Sequence, residues 1–226
     1  MRPSEKSARR QTLPESGIAQ STAENLLGDF SALLQQIGAA EMWLACQSAA
    51  HPVAGQISSI AGLRRFLETY LSQILLPLEL PAIARACGQV RRGELRELIA
   101  LDQEIAAETR LAPFASASRT IGSMQLQRLR PLRDERTVQR YLSAVKAGQA
   151  QGWHTLVYGL TLAVYSIPLR QGLLHYARET ISGLAHAAGG PVHLFNPAGQ
   201  EMLETIFARL PDGVEEAVPA CDNGLS

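Results

Sequence analysis

Large apolar residues recur at helical spacing in the first third of this chain, and this pattern sets the strongest limit on its fold. They recur every three or four positions between residues 63 and 75: Leu63, Phe66, Leu67, Tyr70, Leu71, Ile74 and Leu75. This spacing places them on one face of an α-helix. Ala and Leu, both strong helix formers, supply most of the apolar residues. Because no pair of alternating strands is visible, the sequence predicts an all-α protein, a compact multi-helix bundle of about eight or more helices.

Prolines, glycines and capping residues predict where the helices begin and end. Pro77 and Pro81 are expected to interrupt the helix that starts near Ser58 or Ser59, because proline lacks a backbone donor. Further predicted helices begin near residue 21 or 22 and after Asp134, and others cover residues 80–90, 94–110, 114–129, 153–165, 168–188 and 199–209. These limits divide the chain into a disordered N-terminal arm (1–20), a helical domain (21–210) and a flexible acidic tail (211–226).

The charge and the cysteine content of the chain limit the cellular compartment and the classes of partner that the sequence predicts. The formal net charge is +0, so there is no overall electrostatic case for nucleic acid or a charged membrane surface. No apolar run is long enough to span a membrane. The three cysteines are widely spaced and the first twenty residues are polar, which predicts a cytoplasmic protein. A basic stretch is either a solvated helix face or a protein contact: Arg119, Arg128, Arg130, Arg133, Arg136 and Arg140.

No self-contained catalytic, cofactor or metal site is visible. The five histidines form no pair at helical spacing, and there is no His-Glu-x-x-His. The glycine-rich segments lack the Lys-Ser/Thr of a phosphate-binding loop, and no nucleophile elbow occurs. No two of the carboxylates within predicted helices match as acid and base, and they are interpreted as helix-surface charges or helix-end pairs: Glu41, Glu68, Glu79, Asp102 and Glu104. We therefore expect no metal or cofactor bound by this chain alone, although ligands gathered from distant helices or across a dimer stay open.

Three local features are typical of close packing or of partner contacts. Residues 117–122 (Ala-Ser-Arg-Thr-Ile-Gly) place Arg119 among small residues that let another helix approach. Residues 152–159 place a histidine among apolar neighbours, and residues 194–200 form a loop rich in turn residues. Ordinary packing is the alternative for each. Close packing at Gly122, against a helix or a second subunit, predicts that Gly122→Leu disrupts the fold or the dimer.

A short amphipathic helix is predicted near the C-terminus. Leu203, Ile206, Phe207 and Leu210 recur at helical spacing. They either pack on the body of the protein or form an anchor for a partner groove. We expect a chain truncated after Gln200 to remain folded, because the preceding helices hold the core.

Taken in order, these motifs resemble the UreF family of urease accessory proteins over about residues 57–200. The family pattern has a Leu-Asp and then Ala-Ser-Arg-x-x-Gly, here Leu101-Asp102 and residues 117–122. It continues with a helix that opens with His and carries Gly, here His154 and Gly159. An Ile-Pro-Leu turn (167–169) leads to a helix with Tyr176, and a Gly-Gln loop follows at 199–200. Residues 37–44 lack most of the Gly-Gly-Phe pattern usual near the family's N-terminus, so the chain resembles a divergent member.

The resemblance implies an accessory role without catalysis. Family members are helical dimers that bridge a GTPase (the G subunit) and a scaffold (the D or H subunit), and the assembly delivers nickel to apo-urease. The implied partner-interface residues are Ser118, Arg119, Gly122, His154, Tyr158, Tyr176, Gly199, Gln200, Leu203 and Phe207. The alternative is a divergent helical domain that binds small molecules or regulates, having lost its urease partners.

Overall fold

The computed structural model describes residues 57–130, 132, 135–188 and 196–218, and this part of the chain contains helices and no strand. The predicted all-α fold is confirmed. The predicted N-terminal arm (1–20) and the helix expected from residue 21 or 22 lie outside the described residues, as do 189–195 and 219–226. None of the described helices combines the length and apolar character needed to cross a membrane.

Nine α-helices are described: α1 Ile60–Tyr70, α2 Leu80–Arg91, α3 Leu95–Ala107, α4 Ala115–Leu129, α5 Arg136–Lys146, α6 His154–Val164, α7 Leu169–Ala188, α8 Pro197–Phe207 and α9 Leu210–Ala217. A 3₁₀ turn, Thr109–Phe114, precedes α4. The cap predicted for α1 is confirmed, since the Ser59 Oγ accepts a hydrogen bond from the Gly62 amide at 3.1 Å. Most bounds lie within three residues of the predicted ones.

The predicted break at Pro77 is wrong. Helix continues from α1 into α2 through a π-helical segment, Leu71–Glu79, which contains Pro77. Proline removes one backbone donor and crowds the carbonyl four residues earlier. A π-helical turn is wider and bonds five residues back. This wider turn accommodates the proline without ending the helix, and Pro81 then lies in the first turn of α2.

Helix α6 is the centre of the fold. It is buried on all sides from His154 to Leu162, as expected for a helix that is apolar all round. It packs chiefly against α2 and α4. The approach to α2 is close because Gly159 has no side chain: a Cβ there would lie 2.6 Å from the Ile83 carbonyl oxygen and 2.9 Å from the Ala86 Cβ. Helix α7 packs against α1, α2 and α9.

The C-terminal helices correct two predictions. Residues 211–217 were assigned to a flexible acidic tail, but they form most of α9, which packs against α7, α2 and the π-helical segment. Leu210, Val214 and Ala217 are buried, while the acidic residues of α9 are exposed. In α8, Met202 and Ile206 are also buried. Both helices therefore belong to the core. This contradicts the reason for expecting a chain truncated after Gln200 to remain folded, which was that the preceding helices alone hold the core.

Candidate functional site

Two of the three local features, residues 117–122 and 152–159, are brought together at one junction, where α3 and α4 meet the loop that leads into α6. Ser118 on α4 accepts a hydrogen bond on its Oγ from the backbone amide of His154, at 3.1 Å. Because His154 is the first residue of α6, this bond satisfies a helix-end donor that has no partner inside the helix. Arg119 donates to the Gln151 Oε1 at 2.7 Å and to the Ala115 carbonyl at 3.1 Å. Two adjacent residues of α4 thus hold one loop.

Gly122 sets how closely α4 approaches this loop. A Cβ at that position would overlap the carbonyl oxygen of Gly152 and would lie 2.8 Å from the His154 amide nitrogen. The obstacle is backbone, which cannot rotate away as a side chain can. The predicted close packing at Gly122 is therefore confirmed as a contact within one chain.

Asp102 holds the same loop from α3, and its reading as a surface charge is wrong. The side chain is fully buried and accepts three hydrogen bonds. They come from the Tyr141 hydroxyl at 2.7 Å, the Gln151 amide at 2.6 Å and the Gly152 amide at 3.0 Å. The signal was present in the sequence, since position 102 falls within the apolar stripe of α3. Glu104 does lie on the surface, where it pairs with Arg85 at 2.7 Å.

Tyr141 connects α5 to this junction. Its hydroxyl is buried and donates to a carboxylate, and both burial and the charge of Asp102 raise the pKa of Tyr141 well above its usual value. The phenol therefore stays protonated as a donor. Gln103 adds a further bond from α3 to the Gln149 carbonyl at 3.3 Å. We name this set, residues 102, 118, 119, 122 and 141 with loop 149–153, the α6 junction. Its geometry fixes the start of the central helix.

Beneath the α6 junction, three aromatic rings form a buried cluster. The ring centroid of His154 lies 5.6 Å from that of Tyr176 and 6.4 Å from that of Tyr158, and the two tyrosine rings are 5.1 Å apart. The Tyr158 hydroxyl donates to the Gly172 carbonyl at 3.1 Å. Burial lowers the pKa of His154 to about 4, so the imidazole is neutral at physiological pH.

Glu79, at the end of the π-helical segment, is a second carboxyl whose interpretation as a helix-surface charge is wrong, because its side chain is buried. Its Oε1 accepts a hydrogen bond from the Tyr70 hydroxyl at 3.1 Å. Burial raises the pKa of Glu79 to about 7, although hydrogen bonds from Tyr70 and Tyr176 act in the opposite direction. No nucleophile or acid–base pair emerges from these contacts, and their evident effect is to tie α7 to the helix before α2.

The predicted interface residues fall into two groups, one buried and one at least partly exposed to solvent. Five of them lie inside the fold, where no partner can touch them without opening it: Gly122, His154, Tyr158, Tyr176 and Gly199. For these five, the implied direct contact is corrected to a packing role. Arg119 and Gln200 are exposed, and Ser118, Leu203 and Phe207 are half-buried.

The α8 residues form a second group, apart from the α6 junction in the sequence and held by different contacts. Asn196 caps α8, since its Oδ1 accepts from the Gly199 amide at 2.8 Å, which explains the turn residues seen before Gly199. Phe207 packs its ring under the Arg178 guanidinium, 4.9 Å from the ring centroid. Gln200, Leu203 and Phe207 therefore follow the outer edge of α8, whereas Met202 and Ile206 face the core.

A metal site would need several ligand side chains close together within the described residues. No group of three or more His, Cys, Asp or Glu side chains is placed to hold a metal ion in that part of the chain. Cys87 is buried in α2, consistent with packing, while Cys46 and Cys221 lie outside the described residues.

Comparison with known proteins supports the family resemblance that the motifs indicated. The UreF family model matches residues 57–206, about two thirds of the chain. The match runs from two residues before the cap of α1 to the last buried residue of α8. The chain therefore belongs to the UreF family, a family of urease accessory proteins. No curated protein matches the chain.

Proposed function

We propose that this chain is a non-enzymatic chaperone of urease maturation that bridges the accessory GTPase (the G subunit) and the scaffold (the D or H subunit). In this role nickel is the cargo that the assembly delivers to apo-urease, and this chain binds no cofactor by itself. The observation that carries the proposal is the family match over residues 57–206. We further propose that it acts in the cytoplasm as a homodimer.

The division of the motif residues by exposure supports a role as a shaped surface. The α6 junction uses its motif residues to fix the position of the central helix rather than to offer reactive groups. Of its titratable members, Asp102 accepts three hydrogen bonds and Tyr141 stays protonated as a donor, and the adjoining His154 is held neutral by burial. A binding protein needs this rigidity because ordering loose elements on association costs affinity.

The outer edge of α8 is the surface that we assign to the scaffold subunit. Gln200 is exposed, and Leu203 and Phe207 are half-buried apolar residues beside it. Partly exposed aromatic and aliphatic groups next to a cation, here Arg178 over Phe207, are typical of interface anchors. Arg119, an exposed residue of α4 with a planar guanidinium, is assigned to a second partner contact.

The test is co-purification of the full chain with the cognate GTPase and scaffold subunits, followed by urease activation in cells that express all components. Leu203→Asp, which places a charge on the α8 edge, should reduce recovery of the scaffold about tenfold or more. Glu201→Gln, at an exposed position of the same helix that lies away from the stripe formed by residues 200, 203 and 207, is the matched control and should leave recovery unchanged. Recovery of neither subunit by the wild-type chain would refute the proposal, and equal recovery by Leu203→Asp would move the contact elsewhere.

Nickel binding tests the cargo part of the proposal. Calorimetry on the isolated monomer should show weak or no nickel binding, because the described residues bring no ligand group together. Stoichiometric binding below micromolar concentration by a monomer would contradict this expectation. Sedimentation at several protein concentrations, run in parallel, tests the proposed homodimer. Nickel binding that appears only with the dimer would place the ligands across the subunit contact.

A further inference from the structure

A buried carboxyl and a π-helical turn lie together at the end of the segment Leu71–Glu79. Glu79 is the last residue of this segment, and the Leu80 amide donates to the Leu75 carbonyl, five residues back. Residues 75–80 therefore form one wide helical turn, which contains both Leu76 and Glu79. π-Helical turns are rare and are frequently found at functional sites. Neither the α6 junction nor the α8 edge uses this turn, so the accessory role leaves it without an assigned purpose.

The Glu79 carboxyl has fewer donors than an ionised carboxylate needs inside a protein. Its Oε1 accepts from the Tyr70 hydroxyl at 3.1 Å, while its Oε2 is shielded from solvent and has no hydrogen-bond partner among the described residues. Asp102, which is also buried, accepts three hydrogen bonds, two of them from backbone amides. A buried carboxylate is costly when its acceptor sites stay empty. The contacts of Glu79 therefore favour its protonated form in the closed fold.

The titratable groups that face Glu79 are two phenols, Tyr70 of α1 and Tyr176 of α7. Two buried histidines lie next to Tyr176: His154 against its ring, and His175 beside it in the sequence. The charged residues of α1, α2, α7 and α9 are at least partly exposed, and four of them are half-buried: Glu68, Arg85, Arg178 and Glu179. Burial raises the pKa of Glu79 to about 7, and no described charge contributes to this change. Glu79 therefore titrates without an ionised partner.

The same π-helical turn holds helix α9 in place. The Leu76 side chain packs so closely on Gly213 of α9 that a Cβ at Gly213 would overlap it. Gly213 is buried, and so is Val214 beside it. Because Leu76 and Glu79 belong to one helical turn, a motion that brings the Glu79 carboxyl to water also displaces Leu76 from Gly213. The turn thus connects a titratable group to the seat of a C-terminal helix.

We propose that Glu79 and the π-helical turn act as a pH-sensitive switch for the docking of helix α9. While Glu79 is protonated, the turn is closed and Leu76 packs on Gly213. Loss of the proton leaves a carboxylate with too few donors, so the turn opens to water and Leu76 leaves α9. Because the closed form holds a proton that the open form releases, docking weakens as the pH rises from 4.5 to about 7. This switch is independent of the proposed accessory role.

The test is native-state amide hydrogen exchange of the full-length protein between about pH 5.5 and about pH 7.5, corrected for the intrinsic pH dependence of exchange. Protection of the π-helical turn and of α9 should fall about tenfold or more over this range. It should also stay below that of the most protected amides of α6, which report unfolding of the whole molecule. Protection that does not change with pH would overturn the proposal. So would protection equal to that of α6, because the turn would then open only when the protein unfolds.

Variants identify the group that titrates and the contact that transmits the effect. Glu79→Gln should hold the protection of both elements at its low-pH level throughout, whereas Glu216→Gln, which removes an exposed carboxylate from α9 itself, should behave as the wild type. Leu76→Ala should leave the π-helical turn sensitive to pH and make exchange in α9 independent of it. An unchanged pH response in Glu79→Gln, or in α9 of Leu76→Ala, would overturn the proposal. The comparison with α6 needs only the wild type, so it decides the question if Glu79→Gln does not fold.

Discussion

The α6 junction and the C-terminal pair of helices, α8 and α9, are held to the same core by different forces. In the junction, one carboxylate, Asp102, accepts three hydrogen bonds, and Ser118 caps the central helix. The C-terminal pair is held chiefly by apolar burial, with Met202, Ile206, Leu210 and Val214 each at most 3% exposed. Polar contacts position one region, and removal of apolar surface from water positions the other.

This difference matters for how each region responds to change. A hydrogen-bonded junction depends on particular atoms, so that removing a single acceptor leaves several donors buried without partners. An apolar contact distributes its free energy over many weak contacts, so that single changes cost less than loss of the whole element. We therefore expect that the C-terminal pair contributes a large free energy of unfolding that is lost only when both helices are removed. In the junction, by contrast, a change at a single atom should already cause a large loss of stability.

Truncation after Gln200 should have the largest effect. It removes four large buried side chains, whose burial contributes about 6 to 12 kcal/mol. That is comparable to the whole stability of an ordinary domain. We expect the truncated chain to be unfolded, as measured by circular dichroism and by loss of a cooperative thermal transition. Truncation after Val218, which keeps both helices, is the control. A cooperative transition in the shorter chain would show that the pair is an attachment to the core and not a part of it.

Removal of the Asp102 carboxylate should have the next largest effect. Asp102→Ala leaves the Tyr141 hydroxyl and two backbone amides without their acceptor, and we expect a loss of about 3 to 5 kcal/mol in the free energy of unfolding. Tyr141→Phe removes one donor and leaves the other two bonds, so about 1 to 2 kcal/mol is expected. Urea denaturation of both single variants and of the double variant measures the coupling. Equal costs for the two single variants would show that the amide bonds contribute nothing.

The same contrast explains what the sequence could and could not predict. Most helices were predictable, because buried stripes and capping residues such as Ser59 are local signals. The close packing at Gly122 was predictable because a glycine among small residues within a helix indicates that another part of the protein lies close to the backbone. Asp102 was misread, since its partners lie 39 to 50 residues away in the sequence.

The C-terminal pair was harder to predict for a physical reason. The spacing of Leu203, Ile206, Phe207 and Leu210 is the same whether an amphipathic helix packs on its own core or binds a partner. In the structure, Ile206 and Leu210 face inward while Leu203 and Phe207 remain half-exposed. The acidic residues of α9 suggested a flexible tail, yet they occupy only its outer face. The Pro77 break failed because the wider π-helical turn is not encoded in any local pattern that we recognise.

Gly122 tests the junction through shape instead of hydrogen bonds. Gly122→Leu should lower the free energy of unfolding by about 3 kcal/mol or more, because the new side chain collides with the backbone at Gly152 and His154. Ser123→Leu, the neighbouring position on the exposed side of α4, should cost less than about 0.5 kcal/mol. Thermal and urea denaturation compare the two. If both variants are equally stable, the loop before α6 can move away, and the junction is less rigid than its hydrogen bonds indicate.

Glu79 extends the comparison to a buried carboxyl that lacks the three donors of Asp102. Its pKa is raised from 4.5 to about 7, so the folded state holds a proton that the unfolded state releases between these values. Stability from this group is therefore lost as the pH rises from 4.5 to 7. His154 acts in the opposite sense. Its pKa is lowered from 6.5 to about 4, so stability is lost as the pH falls through that window.

Glu79→Gln isolates the first of these effects and should give the smallest change. The amide resembles the protonated carboxyl in shape and still accepts from the Tyr70 hydroxyl, so the variant and the wild type should be equally stable near pH 4.5. Above pH 7 the variant should be more stable by roughly 1 to 3 kcal/mol, because it has no buried charge to form. Urea denaturation at pH 5, 6, 7 and 8 measures the growth of this difference. A difference that stays constant over this range would mean that Glu79 ionises as freely as a surface carboxyl. In that case the number of hydrogen-bond donors, three at Asp102 and fewer at Glu79, would not explain why the buried carboxylate of Asp102 stabilises its region.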